Sequence, residues 1–242
     1  MKLSELLDIL DTVSPFELQD SWDNSGLIVG EASGEIGKIY LSLDIEEAMF
    51  EDLEEGSALI VHHPLIFKGI KAIDFAKFPG NIIRQAIRKD IAIIAMHTNF
   101  DQTHLNRYVL EEVLGYRCMH VAGYLAYFEV EKPLQQFAKE VAQTFGLDPM
   151  RIVAGTDFVT TAALCTGAGT SLIDMLETDC LLTGDIKYHE ALSAKESHIS
   201  LIDIGHYESE RYFARCMQQV LQNKGINGII ANSKNPFSYI KG

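Results

Sequence analysis

The chain has 242 residues, 47% hydrophobic and 22% charged, with a formal charge of -14 and a pI near 4.9. That is enough apolar chain for one large or two small domains with a real core. So acidic a surface does not suit the phosphate backbone of nucleic acid, although a nucleotide stays open where bound metal supplies local positive charge.

In chain order, an apolar stripe predicts a helix over residues 4–13. Its acidic start lacks the basic stretch and apolar run of a secretion signal. No segment reaches the roughly 18 apolar residues of a membrane span, so a cytoplasmic location is expected. Trp22-Asp23-Asn24-Ser25-Gly26 is a turn leading to a strand at 27–29. A strand at 39–43 ends in Asp44, a helix covers 45–54, and a strand covers 58–61. A helix at 81–89 feeds a strand at 91–96, and a helix at 105–114 stops at Gly115. Next come a strand at 125–131 and a helix at 133–145, opened by Pro133 and closed by Gly146. Strands at 152–154 and 161–165, a helix at 171–177, a strand at 180–183 and a helix at 188–195 follow. A strand at 201–204 and a helix at 208–224, stopped at Gly225, complete the series. This alternation predicts an α/β protein. Cys118, Cys165, Cys180 and Cys216 lie far apart and form no Cys-x-x-Cys pair, so they read as buried, reduced thiols.

A faint internal repeat runs through these elements. Asp44 precedes His62 by 18 residues, and Thr166 precedes Gly184 by 18. The strand ending at His97 parallels the strand ending at His206. Either the chain is duplicated, which would place a reactive crevice between its halves, or two α/β halves simply look alike.

The chemistry gathers at strand ends. Ala58-Leu59-Ile60-Val61 runs into His62-His63-Pro64. Adjacent side chains on a strand point to opposite faces, but where the backbone turns at the C-terminal edge both imidazoles can reach one crevice. That edge is where open α/β sheets bind ligands. A second apolar run ends in His97 with Asp101 four residues on, and a third ends in Gly205-His206 with Glu210 four residues on. If a helix opens at Ser209, His206 and Glu210 can share a face.

His62, His63, Asp101, His206 and Glu210 thus offer three imidazoles and two carboxylates, more than one structural zinc takes. The set suits two metal ions, and ligation by nitrogen and oxygen without thiolate fits zinc, iron, manganese, cobalt or nickel. Singly, each has a plainer reading: His97 a core histidine, Asp101 a helix cap, Glu210 a solvated first-turn residue. Asp44 reads as a cap for the segment from Ile45 rather than as a partner orienting a histidine. Trp22, Asp23 and Asn24 either floor a substrate pocket or form a core anchor and a turn. Gly167-Ala168-Gly169 carries a weak anion-binding signal without the Lys of a phosphate loop.

Trp22-Asp23-Asn24-x-Gly26-Leu27, His62-His63-Pro64, His97-Thr98-Asn99-x-Asp101, Thr183-Gly184-Asp185 and Gly205-His206-x-x-Ser209-Glu210 together resemble the Nif-three-like family, whose members are often named GTP cyclohydrolase I type 2. The motifs span nearly the whole chain in the family's order. The resemblance implies the short bacterial form: two similar intertwined α/β/α halves, approximately 1–123 and 124–242, without an inserted middle domain and with the site in the crevice between them. It implies a toroidal homohexamer, a trimer of dimers, with a dinuclear metal centre on His62, His63, Asp101, His206 and Glu210. His97 would sit beside the metals as a proton carrier. Asp185 stands where members carry Glu.

The expected function is that of a dinuclear-metal-dependent hydrolase that opens the imidazole ring of GTP and releases formate through metal-activated water. Of these terms, GTP rests on the family's name alone. A different dinuclear hydrolase (a phosphoesterase or amidohydrolase) and a non-enzymatic metal-handling ring are the alternatives.

Overall fold

Ala58–Val61 is apolar at all four positions because it is a central strand, buried on both faces. In the computed structural model, which describes residues 1–231, 233–238 and 240, the chain divides into two compact units. Met1–Phe100 and the segment from Phe213 onward form the first, and Asp101–Tyr212 the second. The breaks therefore fall at 100/101 and 212/213, not near residue 123, and the C-terminal segment belongs with the N-terminal one.

The first unit holds β1 (Gly26–Val29), β2 (Ile39–Ser42), β3 (Ala58–Val61) and β4 (Ala92–Ala95). The sheet order is β1-β4-β3-β2, then Ile229–Ile230. β2, β3 and β4 are parallel, with Ser42 paired to Val61 and Val61 to Ala95. The three strands thus end flush, and Asp44, His62, His63 and His97 all leave the sheet at one edge. Leu59, Val61, Ile91 and Ile93 pack with Ile82, Ile83 and Ala86 of the helix Gly80–Arg88. That burial pins the strands from which the histidines emerge.

The second unit holds β5 (His120–Ala122), β6 (Leu125–Pro133), β7 (Ile152–Val153), β8 (Phe158–Leu164), β9 (Cys180–Thr183) and β10 (Ser200–Asp203), in the order β5-β6-β8-β9-β10-β7. Again three strands are parallel, β8, β9 and β10, with Leu164 paired to Leu182 and Thr183 to Asp203. Gly167, Asp185 and His206 follow at their C-terminal edge. Each unit thus carries a mixed sheet with a parallel core, in keeping with the predicted α/β class.

Several elements differ from the sequence pattern. The segment predicted helical at 45–54 is a single tight turn of helix, Glu47–Glu51, and 171–177 is likewise a short turn, Thr170–Met175. The helix predicted at 105–114 is wound partly in wide π turns, Asp101–Leu105 and Val109–Val113. The long helix predicted at 208–224 is two helices, His206–Glu210 and Phe213–Gln222. The break lies where the chain changes units. Phe213, fully buried, packs on Phe100 at 5.3 Å and His62 at 4.9 Å between ring centres. Among the described residues no helix is long and apolar enough to cross a membrane.

Cys165, Cys180 and Cys216 are buried free thiols, but Cys118 is only partly buried. Burial pushes the Cys216 thiol up to about 12 and the Cys165 and Cys180 thiols higher still, with the Asp101 and Glu210 charges adding to the effect at Cys165. A disulfide reagent counted by absorbance should therefore label Cys118 alone in the native protein, and slowly. Fast native labelling of Cys165 or Cys180 would contradict this packing.

Candidate metal centre

In the first unit, one sheet edge gathers three imidazoles. His62 is fully buried, and its amide donates to the carbonyls of Ser42, the last residue of β2, and of Leu43 just after it. The His63 amide bonds the Leu43 carbonyl too, so the backbone has already curled and both side chains stay on one side. Ring centres lie 5.1 Å apart for His62 and His63, 5.0 Å for His62 and His97, and 5.5 Å for His63 and His97. One ligand atom from each of the three falls within 4.8 Å of the others, a cluster that can hold a metal ion.

Each imidazole is held from behind. His62 Nδ1 donates to the Met96 carbonyl at 2.9 Å, His63 Nδ1 to Asp44 Oδ1 at 2.7 Å, and His97 Nδ1 to Asp23 Oδ1 at 2.8 Å. All three acceptors lack a proton to give, so the hydrogen sits on Nδ1 and the lone pair on Nε2. This is how ligating histidines are oriented in metal proteins. Asp44 therefore orients His63 and caps no helix, since the following turn begins only at Glu47. Asp23 is closed off from solvent and also accepts from the Thr98 amide at 3.1 Å and the Thr98 hydroxyl. Burial alone would raise its carboxyl, but His97, Thr98 and the Asn24 amide outweigh that and hold it well below the usual carboxylate range.

Trp22 is no core anchor: it is 58% exposed and meets His97 edge-on. Asn24 Nδ2 donates to the Ile66 carbonyl at 2.6 Å. Sequence reasoning passed over Phe67, whose ring meets His97 at 5.5 Å. Its only signal was its place four residues after His63.

In the second unit the same edge gathers a carboxylate-rich set. His206 Nδ1 donates to Asp185 Oδ2 at 2.8 Å, and His206 Nε2 lies 2.9 Å from Glu210 Oε2. His206–Glu210 is itself one turn of helix, which places these residues on one face. Glu210 is 4% exposed, and Asp101, at the first π turn, 9%. A carboxylate so buried needs a cation or donors around it.

Gly167 shows how closely Glu210 is seated. A Cβ on Gly167 would fall 2.1 Å from Glu210 Oε1, and its backbone has φ +65°. The glycine run is therefore no anion site: it faces a carboxylate, and the amides of Gly167 and Gly169 are spent on the Ser209 and Thr183 hydroxyls at 3.0 and 2.7 Å. Buried Asn106 ties this turn to the first π turn, accepting from the Thr166 amide at 2.7 Å and donating to the Asp101 carbonyl at 3.1 Å. Nothing in the sequence marks Asn106 except a polar residue amid a helical apolar pattern.

Each unit's donors by themselves suit divalent metal: oriented imidazoles in the first, buried carboxylates with an oriented imidazole in the second, and no thiolate in either cluster.

The model of the DUF34/NIF3 (NGG1p interacting factor 3) family matches residues 1–236. The chain belongs to the DUF34/NIF3 family. Among relatives, a Campylobacter jejuni protein named GTP cyclohydrolase 1 type 2 homolog is 45% identical, with 99% of this chain and 100% of that protein aligned. A Helicobacter pylori protein named GTP cyclohydrolase 1 type 2 is 37% identical over 98% of this chain and 99% of its own length. The crystal structure of a Staphylococcus aureus hypothetical protein superposes with a TM-score of 0.86 at 28% identity, covering 99% of both chains. The expected family and α/β fold are thus those of this NIF3 protein.

Proposed function

We propose that His62, His63, Asp101, His206 and Glu210 bind two divalent metal ions, and that the chain is a metal-dependent hydrolase opening the imidazole ring of a purine nucleotide, GTP, with release of formate. The observation that supports this best is the orienting contact behind each histidine: Met96 for His62, Asp44 for His63, Asp185 for His206. Such contacts fix which nitrogen faces outward, a constraint that metal ligation requires and simple packing does not. The names of the Campylobacter and Helicobacter relatives supply the reaction class.

Bound metal would supply an acidified water and a Lewis acid for an oxygen-rich substrate, and would offset the charge of -14 that repels a triphosphate. His97 carries the proton. Its Nδ1 is tied to Asp23, so Nε2 is the atom that takes up and returns a proton, and Asp23 stabilises the imidazolium while it lasts. Trp22, Asp23 and Asn24 form the substrate side: Asp23 sets His97, Asn24 sets the loop after His63, and Trp22 offers its ring. Assembly as a toroidal hexamer belongs to the same reading, and the mass in solution tests it.

The decisive experiment measures metal per chain and formate from GTP for the wild type, His63→Ala and Glu210→Ala. Near two metals per chain with formate, and both lost in the variants, is the expected result. Two metals with no formate under any metal supplied would sink the substrate and favour a metal-handling role. No bound metal, with the variants unchanged, would sink the centre itself.

A further inference from the structure

Two large aromatic rings stand uncovered beside His97. Trp22, 58% exposed, meets the imidazole at 5.9 Å with the planes at 79°, and Phe67, 44% exposed, meets it at 5.5 Å and 86°. Both contacts are T-shaped, so neither ring lies stacked on the imidazole. Exposed large apolar groups cost solvation free energy, and two converging on one polar residue call for an explanation.

The chain next to each ring is also held in place. Asp23, next to Trp22, is locked by His97 and Thr98. Asn24 then reaches across to the carbonyl of Ile66, the residue before Phe67, at 2.6 Å. That single hydrogen bond ties the turn carrying Trp22 to the loop carrying Phe67. Two exposed aromatics set against one proton-bearing imidazole, with their backbones bonded together, make a preorganised platform.

We propose that Trp22 and Phe67 stack a purine base and hold it beside His97. The inference rests on the nucleotide reading above and adds Phe67 and the chemistry of recognition to it. Stacking uses the π face that every base has, so the platform selects a planar heteroaromatic ring and does not distinguish guanine from adenine. Choice of guanine would have to come from elsewhere. The Asn24 bond sets the position of Phe67 without touching the base.

Trp22 is the chain's only tryptophan, so its emission reports this place alone. The metal-loaded protein would be titrated with guanosine, adenosine, GTP and ribose 5-phosphate while emission is followed at red-edge excitation. Guanosine, adenosine and GTP should each quench Trp22 saturably, and ribose 5-phosphate should not. Phe67→Leu, which keeps apolar bulk but loses the π face, should raise half-saturation by about tenfold, in line with the loss of one base stack. Its metal content and circular dichroism should match the wild type. Asn24→Ala should shift half-saturation in the same direction by less. The proposal is overturned if the nucleosides leave emission unchanged, if ribose 5-phosphate quenches equally, or if Phe67→Leu binds like the wild type. Emission that follows protein concentration instead of nucleoside would overturn it too, by assigning these rings to contact between copies. Quenching without formate would keep the base platform and remove the hydrolase reading; formate without quenching would do the reverse.

Discussion

Gly184→Ala should yield little folded protein, with any soluble fraction melting far below the wild type, whereas Gly167→Ala should fold but bind metal poorly. Both glycines lie at the C-terminal edge of the second sheet, and the difference is in what a methyl group would meet. At Gly184 an added Cβ would lie 2.6 Å from the His206 amide nitrogen, 2.7 Å from the Gly205 carbonyl carbon and 2.8 Å from the Gly167 carbonyl oxygen. All three are backbone atoms. The Gly184 amide also bonds the Gly167 carbonyl at 2.7 Å, and the Ile204 amide bonds the Thr183 carbonyl at 2.9 Å, so neither strand end can back away cheaply. Overpacking a well-packed interior costs about 1–3 kcal/mol, and more where backbone must move; against the roughly 5–15 kcal/mol that separates folded from unfolded domains, this loss is large. At Gly167 the nearest atoms are the end of the Glu210 side chain, which can swing aside. The fold then bears mainly the cost of a left-handed backbone on alanine, about 1–2 kcal/mol, but a proposed metal ligand is displaced. Melting curves and metal content for the two variants read this directly. A Gly184→Ala protein melting like the wild type would mean that the turns at 184 and 205 are looser than they stand here.

Much of this was legible in the sequence, and the limits are physical. β3 and β9 are legible residue for residue because each is a short run buried at every position, apolar throughout in β3 and apolar up to Thr183 in β9, and each is stopped sharply, by His62 in one case and Gly184 in the other. The histidines were found because imidazoles at the end of an apolar run break the pattern. The orienting carboxylates were harder. Asp44 is a capping residue by type, and only the fold shows that the next helical turn starts too late for it to cap. The break in the 208–224 helix carries no sequence signal, since neither Gly nor Pro stands at 211 or 212, and it is set by Phe213 packing on Phe100 and His62, residues over a hundred positions away. His120–Ala122 and Ile229–Ile230 carry no strand pattern of their own and are held by pairing, the first to β6 and the second to β2.

Asp44→Asn and Asp185→Asn should each weaken metal binding, and Asp44→Asn should do so more. The substitutions keep the shape of the side chain and an oxygen that can accept the Nδ1 hydrogen. They remove the negative charge that makes the imidazole a stronger donor, and they let the amide turn its NH2 toward the ring. Loss of such a partner costs about 10–100-fold in metal affinity. Where each contact falls in that range depends on how much water competes for it. The His63 side chain is 20% exposed and Asp44 39%, against 35% for His206 and 57% for Asp185. The drier pair is less screened and should matter more. Asp185→Glu should restore most of the affinity, because a longer carboxylate still reaches an exposed imidazole, while Asp44→Glu must fit a tighter space and should restore less. His62 provides the internal control: its partner is the Met96 carbonyl, which no side-chain substitution removes, so its share of the affinity should survive in all four variants. Competition against a fluorescent chelator gives the constants. Wild-type affinity in both asparagine variants would show that these carboxylates hold the histidines for packing and not for metal. A larger loss at Asp185 than at Asp44 would show that solvent does not set the strength of these contacts.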